Sequence, residues 1–384
     1  MSTAEKPQRL SPHLRRLLIL KLWLIEKLRF DERQLTLVWA AVIGVLGALV
    51  TECFRRATDL LHFLFTGSKA TIITSFERLP LWQRFLVPVI GAILAGLTLW
   101  VGNRLIARVR QKSTTDYMEA VVVGNGVISF RASLVKTISA LFSISTGASI
   151  GREGPLVQLS SLVASLVGRL RNCPVPQRRH LVACGAAAGI ASAYNAPIAG
   201  ALFVAEIVLG TVVVESLGPL ILASVTATFL SRAFHGESPL YQSPALALHT
   251  RWEIVPLCAI GIFMGLLAPL YLRVLRRTER LFSKLALPVP AKLALGGVVV
   301  GLLAMFYPQV CGNGKGLVTS LFHQNWDFYT VLFLVIVKLI ATSVTFGSGA
   351  VGGVFTPTLF IGSAIGVLYG QAVLYFAPQL HPDR

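Results

Sequence analysis

The sequence predicts an all-α, polytopic membrane protein whose two halves each contain a helix interrupted inside the bilayer. The 384 residues are 54% hydrophobic and 14% charged, and their mean hydropathy of +0.69 is too high for an ordinary soluble globular protein. Long apolar runs alternate with short basic segments, which is typical of membrane spans joined by loops. Two glycine-containing breaks, each ending in a proline, lie at corresponding places in the two halves.

Positive charge is concentrated in the segments between the apolar runs. The formal net charge of +18 therefore fits the excess of Lys and Arg in cytoplasmic loops, and no nucleic-acid partner is expected. Residues 1–33 combine leucines with Arg and Lys and lack the pattern of a signal peptide, so they are predicted to form an amphipathic segment on the cytoplasmic membrane surface. This places the N-terminus in the cytoplasm and leaves residues 34–384 as the membrane domain.

Apolar runs of spanning length set the order of the elements. The first half, about residues 34–232, has predicted spans at 35–51, 85–102 and 217–229, with a separate amphipathic piece at 54–65. The second half, about residues 252–384, has predicted spans at 254–275, 293–306, 331–344 and 358–375. Within the first half, after Lys112, small and polar residues interrupt the apolar runs, notably at Gly185 to Gly189 and Tyr194 to Pro197. Irregular backbone survives at membrane depth only inside protein or beside water, so this region is predicted to be the functional interior.

The first break, Ser149 to Pro155, places two opposite charges between apolar runs. Each charge costs roughly 2.5–3.5 kcal/mol to insert, so Arg152 and Glu153 need a role or a good partner. The flanking glycines allow close backbone approach, and Pro155 suits the first turn of a helix. A helix N-terminus carries unpaired N–H groups and about half a positive charge, which makes it an anion site with Glu153 as a tethered anion. The plainer interpretation is a packing kink with a buried Arg152–Glu153 pair.

The second break, Gly353 to Pro357, repeats this arrangement in the other half. Paired interrupted helices indicate a binding site between the halves, which favours the anion site over two unrelated kinks. Lys136, Glu206 and Lys338 also lie in apolar surroundings, where they either pair with neighbours or act in transport.

Cysteines and polar motifs give no sign of a cofactor or an enzyme. The five cysteines are scattered without metal spacing, and no H-E-x-x-H or G-x-S-x-G sequence occurs. Gly347 to Gly352 formally satisfy G-x-G-x-x-G, but no acidic residue follows until Asp383, so a dinucleotide fold is rejected. Gly312 to Gly316 lack the spacing of a phosphate loop and are predicted to form a turn. No metal, cofactor or enzymatic activity is expected.

Gly151-Arg152-Glu153-Gly154-Pro155 and Gly353-Val354-Phe355-Thr356-Pro357 resemble two signature motifs of the CLC chloride channel and transporter family. Cys184 to Gly189 and Tyr194 to Gly200 resemble the helix pair that follows the first motif in that family. Thr115 to Ala120 is similar to its bacterial branch of ClcB-type voltage-gated chloride channels. The resemblance covers the chain from about Leu35 onward.

This resemblance implies a CLC-type inverted repeat in a bacterial inner membrane, assembled as a homodimer in which each subunit has its own chloride pathway. Glu153 matches the gating glutamate, whose carboxylate competes with chloride. The side chain of Arg152 is expected to hold the backbone or the surroundings of Glu153. The implied partners are chloride and the lipid bilayer, and the residues expected to line the chloride pathway are Ser113, Gly151, Arg152, Gly154, Pro155, Val354 and Phe355.

Three departures from the family pattern leave alternatives open. Ser113 keeps a hydroxyl but lacks the flanking glycines and proline. Where family exchangers have an inner glutamate this chain has Ile207, which cannot relay a proton, and Glu206 lies one position earlier, about 100° around a helix. The chain ends soon after the second break, so the last helices of the fold are expected to be absent. We predict passive, gated chloride transport; the alternatives are chloride/proton antiport through Glu153 and Glu206, and a non-conducting truncated relic.

Overall fold

The computed structural model describes residues 32–107, 114, 116–210, 213–237, 240–241 and 251–376. These ranges contain fourteen α-helices and no β-strand, so the predicted all-α class is confirmed. The predicted amphipathic segment at 1–33 lies almost entirely outside the described residues. The helices are α1 (Glu32–Thr66), α2 (Ile72–Arg78), α3 (Leu81–Ala107), α4 (Tyr117–Val122), α5 (Phe130–Ser145), α6 (Glu153–Leu170), α7 (Val175–Tyr194), α8 (Pro197–Phe203), α9 (Val214–His235), α10 (Ile254–Lys284), α11 (Val289–Phe306), α12 (Lys315–His323), α13 (Phe328–Gly347) and α14 (Phe355–Phe376).

Seven of these helices are long and apolar enough to cross a membrane, namely α1, α3, α9, α10, α11, α13 and α14. Each contains one of the seven predicted spans. Large apolar side chains remain exposed on them, as at Phe229, which is 78% exposed on α9. On α10 only Leu275 is buried. Such surfaces suit contact with lipid tails rather than with water.

The predicted separate amphipathic piece at 54–65 is wrong, because these residues continue α1 as one helix of 35 residues. No glycine or proline interrupts the chain between Thr51 and Thr66. Phe54 and Arg55 are 3% and 8% exposed, so this end of the helix is held inside the protein. The longer α1 brings its basic and acidic residues to the functional interior.

The sequence Gly185 to Gly189 is also not a break, contrary to the prediction, because it lies inside the continuous helix α7. A Cβ atom on Gly185 would lie 2.6 Å from the carbonyl oxygen of Ser160, and one on Gly189 would lie 2.9 Å from Cα of Val157. Only glycine allows α6 and α7 to approach so closely. This contact fixes α6, whose N-terminus forms the first break.

The two halves meet along α3 and α11, which run antiparallel. A Cβ atom on Gly96 would lie 2.6 Å from Cα of Pro290, and one on Gly301 would lie 2.6 Å from the carbonyl oxygen of Phe85. The later part of α3 therefore contacts the start of α11, and the start of α3 contacts the later part of α11. Since these are corresponding spans of the two halves, their antiparallel contact fits an inverted repeat.

Candidate functional site

The two breaks lie side by side and are joined by their backbones. The N–H of Gly151 donates to the carbonyl of Gly353 at 2.6 Å, and the N–H of Gly353 donates to the carbonyl of Gly151 at 2.8 Å. An antiparallel pair in which corresponding residues exchange both hydrogen bonds is what a two-fold rotation between the halves produces. Nearby, the hydroxyls of Ser149 and Thr342 are 3.0 Å apart in a second buried contact between the halves.

Each break leads directly into the N-terminus of a helix. Helix α6 begins at Glu153, after Arg152 at its N-cap position, and α14 begins at Phe355. The side chain of Arg152 makes no capping hydrogen bond. Val354 and Phe355 donate no backbone hydrogen bond within the part of the chain that the structure describes. The first N–H groups of both helices can therefore act as donors to an anion.

The carboxylate of Glu153 occupies the space between the two breaks. Glu153 is 9% exposed, and its side chain bends back so closely over Gly151 that a Cβ atom added to Gly151 would overlap the carboxylate. A Cβ atom on Gly353 would lie 2.9 Å from Oε2 of Glu153. Glycine at both positions is what leaves room for the carboxylate.

The two oxygens of this carboxylate have different surroundings. Oε1 accepts a hydrogen bond from the hydroxyl of Thr356, in the first turn of α14. Oε2 has no hydrogen-bond partner among the described residues. A buried polar atom without a partner costs about 1–3 kcal/mol, which reduces the free energy that stabilises this position of the Glu153 side chain.

Tyr194 and Thr356 complete the wall around Glu153. The hydroxyl of Tyr194, the last residue of α7, is 3.4 Å from Oγ1 of Thr356. Its ring meets the ring of Phe355 edge-on, with centroids 5.4 Å apart. Asn195 ends α7 in the left-handed conformation at φ 57°, and α8 then begins at Pro197, as the predicted break requires. Sequence reasoning assigned no role to Thr356 or Tyr194, although both lie within the motifs.

The structure brings most of the predicted pathway residues together. Gly151, Arg152, Gly154, Pro155, Val354 and Phe355 all belong to the paired breaks, and a Cβ atom on Gly154 would lie 3.4 Å from the backbone nitrogen of Gly353. Ser113 lies outside the described residues. Glu206 lies elsewhere, exposed on the π-helical turn that follows α8, and makes no hydrogen bond or ion pair within the described ranges.

A cavity of about 300 Å³ lies beside the first break and is lined by polar and charged side chains. Arg152, the residue before Glu153, is one of them. Arg55 of α1 is another, and its Nη2 donates to the carbonyls of Ser192 at 2.6 Å and Ala193 at 3.3 Å, near the end of α7. Arg55 thereby tethers α1 to the helix that ends in Tyr194. Sequence reasoning missed Arg55 because it placed the residue in a linker.

Lys338 has a structural partner rather than a place beside Glu153. This side chain of α13 is 1% exposed, and its Nζ donates to the carbonyls of Val310 at 2.8 Å and Gly312 at 2.7 Å. The predicted turn at Gly312 to Gly316 is confirmed for Gly312 to Gly314, where the two glycines have φ of 69° and 85°, whereas Lys315 and Gly316 already belong to α12. Among the described residues no group of three or more His, Cys, Asp or Glu side chains could hold a metal ion.

Two halves of opposite orientation, meeting through interrupted helices at a buried carboxylate, define a class of polytopic membrane protein with a broken-helix site at its centre. The chain belongs to the family described as "Voltage gated chloride channel", which it matches over residues 90–383.

Curated relatives share much of the sequence. The chain is 45% identical over 347 residues to a "Putative chloride channel protein ClcB-like" of Ralstonia nicotianae, covering 89% of this chain and 80% of the relative. It is 39% identical over 344 residues to the "Voltage-gated ClC-type chloride channel ClcB" of Escherichia coli O9:H4, covering 89% of this chain and 82% of the relative.

Solved structures share the fold. A slow cyanobacterial Cl⁻/H⁺ antiporter has a TM-score of 0.76 at 23% identity, covering 92% of this chain and 83% of the other. A CLC-type fluoride/proton antiporter has a TM-score of 0.70 at 23% identity, covering 92% and 84%.

Proposed function

We propose that this protein transports chloride passively across the bacterial inner membrane through a pathway gated by Glu153. The observation that carries the proposal is the buried Glu153 carboxylate, which lies where two helix N-termini meet. Because helix N-termini attract anions, a carboxylate at this position occupies a site that a chloride ion could occupy instead. The chloride channels named among the relatives support chloride as the transported ion.

In the proposed mechanism, the side chain of Glu153 closes the pathway and leaves when chloride displaces it or when it takes up a proton. Chloride then binds to N–H groups at the two breaks, including those of Val354 and Phe355. Partial charges on backbone groups attract an anion without holding it as tightly as a fixed ammonium would, which permits release. The unpartnered Oε2 lowers the cost of leaving, since no hydrogen bond to this oxygen has to be broken, whereas Oε1 gives up the hydrogen bond from Thr356.

Passive transport is proposed over proton-coupled exchange because the chain has Ile207 where an inner proton-carrying glutamate is expected. Antiport through Glu153 and Glu206 remains the alternative, since Glu206 is exposed beside Ile207 and is open to solvent or to a second subunit.

A second subunit is part of the proposal. Exposed apolar residues on α8 and α9, such as Ile198 at 64% and Phe229 at 78%, offer a surface for a homodimer. Light scattering in detergent should then give twice the 41.5 kDa of one chain.

The deciding experiment is chloride efflux from liposomes that contain the purified protein, with external pH recorded at the same time. Glu153→Gln removes the charge but keeps the shape, so we expect faster or less pH-dependent chloride efflux without proton movement. Glu206→Gln should have no effect, and Glu215→Gln, exposed at the start of α9, serves as the matched acidic control.

Two other outcomes would contradict the proposal. Proton uptake in fixed ratio to chloride efflux, abolished by Glu153→Gln or Glu206→Gln, would establish antiport. No chloride flux from the parent protein or from any variant, in preparations that are folded and monodisperse, would leave the non-conducting relic.

A further inference from the structure

The cavity beside the first break is lined by polar and charged side chains. Its volume of about 300 Å³ has room for roughly ten water molecules at ~30 Å³ each. Five parts of the chain that are distant in sequence contribute to it: α1, the first break, the end of α7, the end of α9 with the residues just after it, and the start of α12. The lining residues used in the following argument are Arg55, Asp59, Arg152, Ser192, His235 and Lys315.

The lining has an excess of positive charge. Three cationic side chains, Arg55, Arg152 and Lys315, face one carboxylate, Asp59, which leaves two positive charges. No carboxylate lies within 4.0 Å of these three cations in the described part of the chain. Outside the lining, Glu52 is already engaged by Arg56 at 2.7 Å and by His235 at 3.3 Å, and Glu153, which follows Arg152 in the chain, accepts a hydrogen bond from Thr356.

The crowding of these cations also acts on Lys315, which lies outside the seven spans. Burial lowers the pKa of its ammonium below the ordinary value, and the nearby charges of Arg152 and Arg55 lower it further. A bound anion would relieve this repulsion.

Two buried donors of the lining lack partners. Arg55 is 8% exposed, and while its Nη2 is bound to carbonyls, its Nε has no partner among the described residues. Ser192 is 1% exposed, and its hydroxyl is likewise without a partner. Buried donors without acceptors are unfavourable, so a ligand that accepts several hydrogen bonds would be stabilised here.

These features favour an oxyanion over a halide. The guanidinium of Arg152, which makes no side-chain hydrogen bond among the described residues, offers its donors in a rigid fork that matches the spacing of oxygens on phosphate or sulfate. A monatomic ion with one charge would leave one of the two excess positive charges uncompensated. A dianion with four oxygens matches the net charge of the lining and can accept from guanidinium, ammonium and hydroxyl groups together.

We propose that this cavity binds a dianionic tetrahedral oxyanion, inorganic phosphate or sulfate, which obstructs access of chloride to Glu153. Binding of the oxyanion does not depend on the proposed function, whereas the obstruction of chloride access rests on the proposed function. The site is distinct from the N–H groups of the two breaks, because it is built from side chains of α1, α7, α9 and α12 around Arg152.

The first test is calorimetric titration of sodium sulfate into the purified full-length protein in detergent. Lys315→Gln removes one positive charge from the lining of the cavity and should weaken sulfate binding about tenfold. Asp59→Asn removes the opposing carboxylate and should strengthen binding. Lys292→Gln, at the start of α11 and outside the cavity, is the matched control and should bind sulfate as the parent does. Size-exclusion profiles would show that all four proteins are folded.

No binding to the parent, or equal binding by Lys315→Gln and Lys292→Gln, would overturn the proposal. Titration in nanodiscs separates a free oxyanion from a lipid phosphate. Equal sulfate affinity in phosphatidylcholine and in phosphatidylglycerol discs supports the free ion. Loss of binding only in phosphatidylglycerol would show that an anionic lipid headgroup takes the site, which overturns the proposal in its stated form.

The second test is chloride efflux with sulfate present on both sides of the liposome membrane and gluconate as the ionic control. Sulfate should inhibit the parent and inhibit Lys315→Gln about tenfold less potently. Sulfate binding without any chloride flux would support the site while the transport proposal fails. Chloride flux without sulfate binding would leave transport standing while the site fails.

Discussion

The hydroxyl of Thr356, in the second half, binds Glu153, in the first half, at the paired breaks. Thr356 is 1% exposed and donates to the carboxylate of Glu153, a residue 203 positions earlier in the chain. Since the other carboxylate oxygen has no partner in the described part of the chain, this hydrogen bond is the main specific contact that keeps the side chain in place.

We therefore expect Thr356→Ala to weaken the closed position of Glu153. Loss of the hydrogen bond leaves both carboxylate oxygens without partners, at a cost of about 1–3 kcal/mol, which corresponds to at least a fivefold shift toward the open pathway. The measurement is the initial rate of chloride efflux from liposomes. Thr356→Ser should behave as the parent does, because it keeps the hydroxyl.

Thr358→Ala is the matched control for this change. Its hydroxyl lies on the same helix but bonds to the hydroxyl of Tyr271 at 2.9 Å and to the carbonyl of Val354 at 2.7 Å. An efflux rate for Thr356→Ala equal to that of Thr358→Ala would show that the hydroxyl does not hold the gate.

For single residues, the sequence predicted those roles that depend only on neighbouring residues in the chain. The role proposed for Glu153 follows from a charge between apolar runs, flanked by glycines and followed by a proline. The contacts of Thr356, Tyr194 and Arg55 could not be predicted, because each depends on a partner more than a hundred positions away. A hydroxyl immediately before Pro357 in the second break was the available signal for Thr356.

Among the elements, α6 and α7 form the contact that positions the first break. Their approach depends on Gly185, where a Cβ atom would lie 2.6 Å from a backbone carbonyl oxygen. Backbone cannot yield as a flexible side chain does, so even one added methyl group must move a helix.

Gly185→Ala is therefore expected to destabilise the protein by about 1–3 kcal/mol through overpacking. Gly261→Ala in α10 is the matched control, because nothing lies within 4 Å of a Cβ atom there. At that position the same substitution should be neutral or stabilise the helix by up to ~1 kcal/mol. The measurement is the midpoint of thermal unfolding in detergent, and equal midpoints would argue against the close α6–α7 contact.

Hydropathy located all seven helices of the described ranges that are long and apolar enough to cross a membrane, but not the extent of each one. All seven predicted spans are present, since a run of apolar residues is a local property. The polar end of α1 and the glycine-rich centre of α7 were misassigned because tertiary contacts decide both. Arg55 is buried by its bonds to α7, and the α7 glycines serve packing against α6 rather than a turn.

For the whole molecule, one contact relates the start of α1 to the end of α6. The guanidinium of Arg171, just after α6, lies 4.3 Å from the ring centroid of Trp39 near the start of α1. The start of α1 and the end of α6 therefore share a face of the membrane. Because basic loops remain in the cytoplasm, this face is predicted to be cytoplasmic, and the residues after α9 are predicted to lie on the opposite side.

This orientation predicts which single cysteines react with a membrane-impermeant maleimide in intact spheroplasts. In a background without the five native cysteines, Glu237→Cys should be labelled and Arg171→Cys should react only after the membrane is opened. Both positions are exposed on the protein, so the membrane decides the result. The reverse labelling pattern would place the N-terminus outside.

The exchange of hydrogen bonds between Gly151 and Gly353 also has a mechanical consequence. Pulling the halves apart at this point would break both bonds and leave four backbone N–H and C=O groups without their partners. That cost works against a rocking motion of one half on the other. The side chain of Glu153 turns about its own single bonds and needs no such separation. In the proposed mechanism, opening of the pathway therefore needs only rotation of the Glu153 side chain and no movement of a domain.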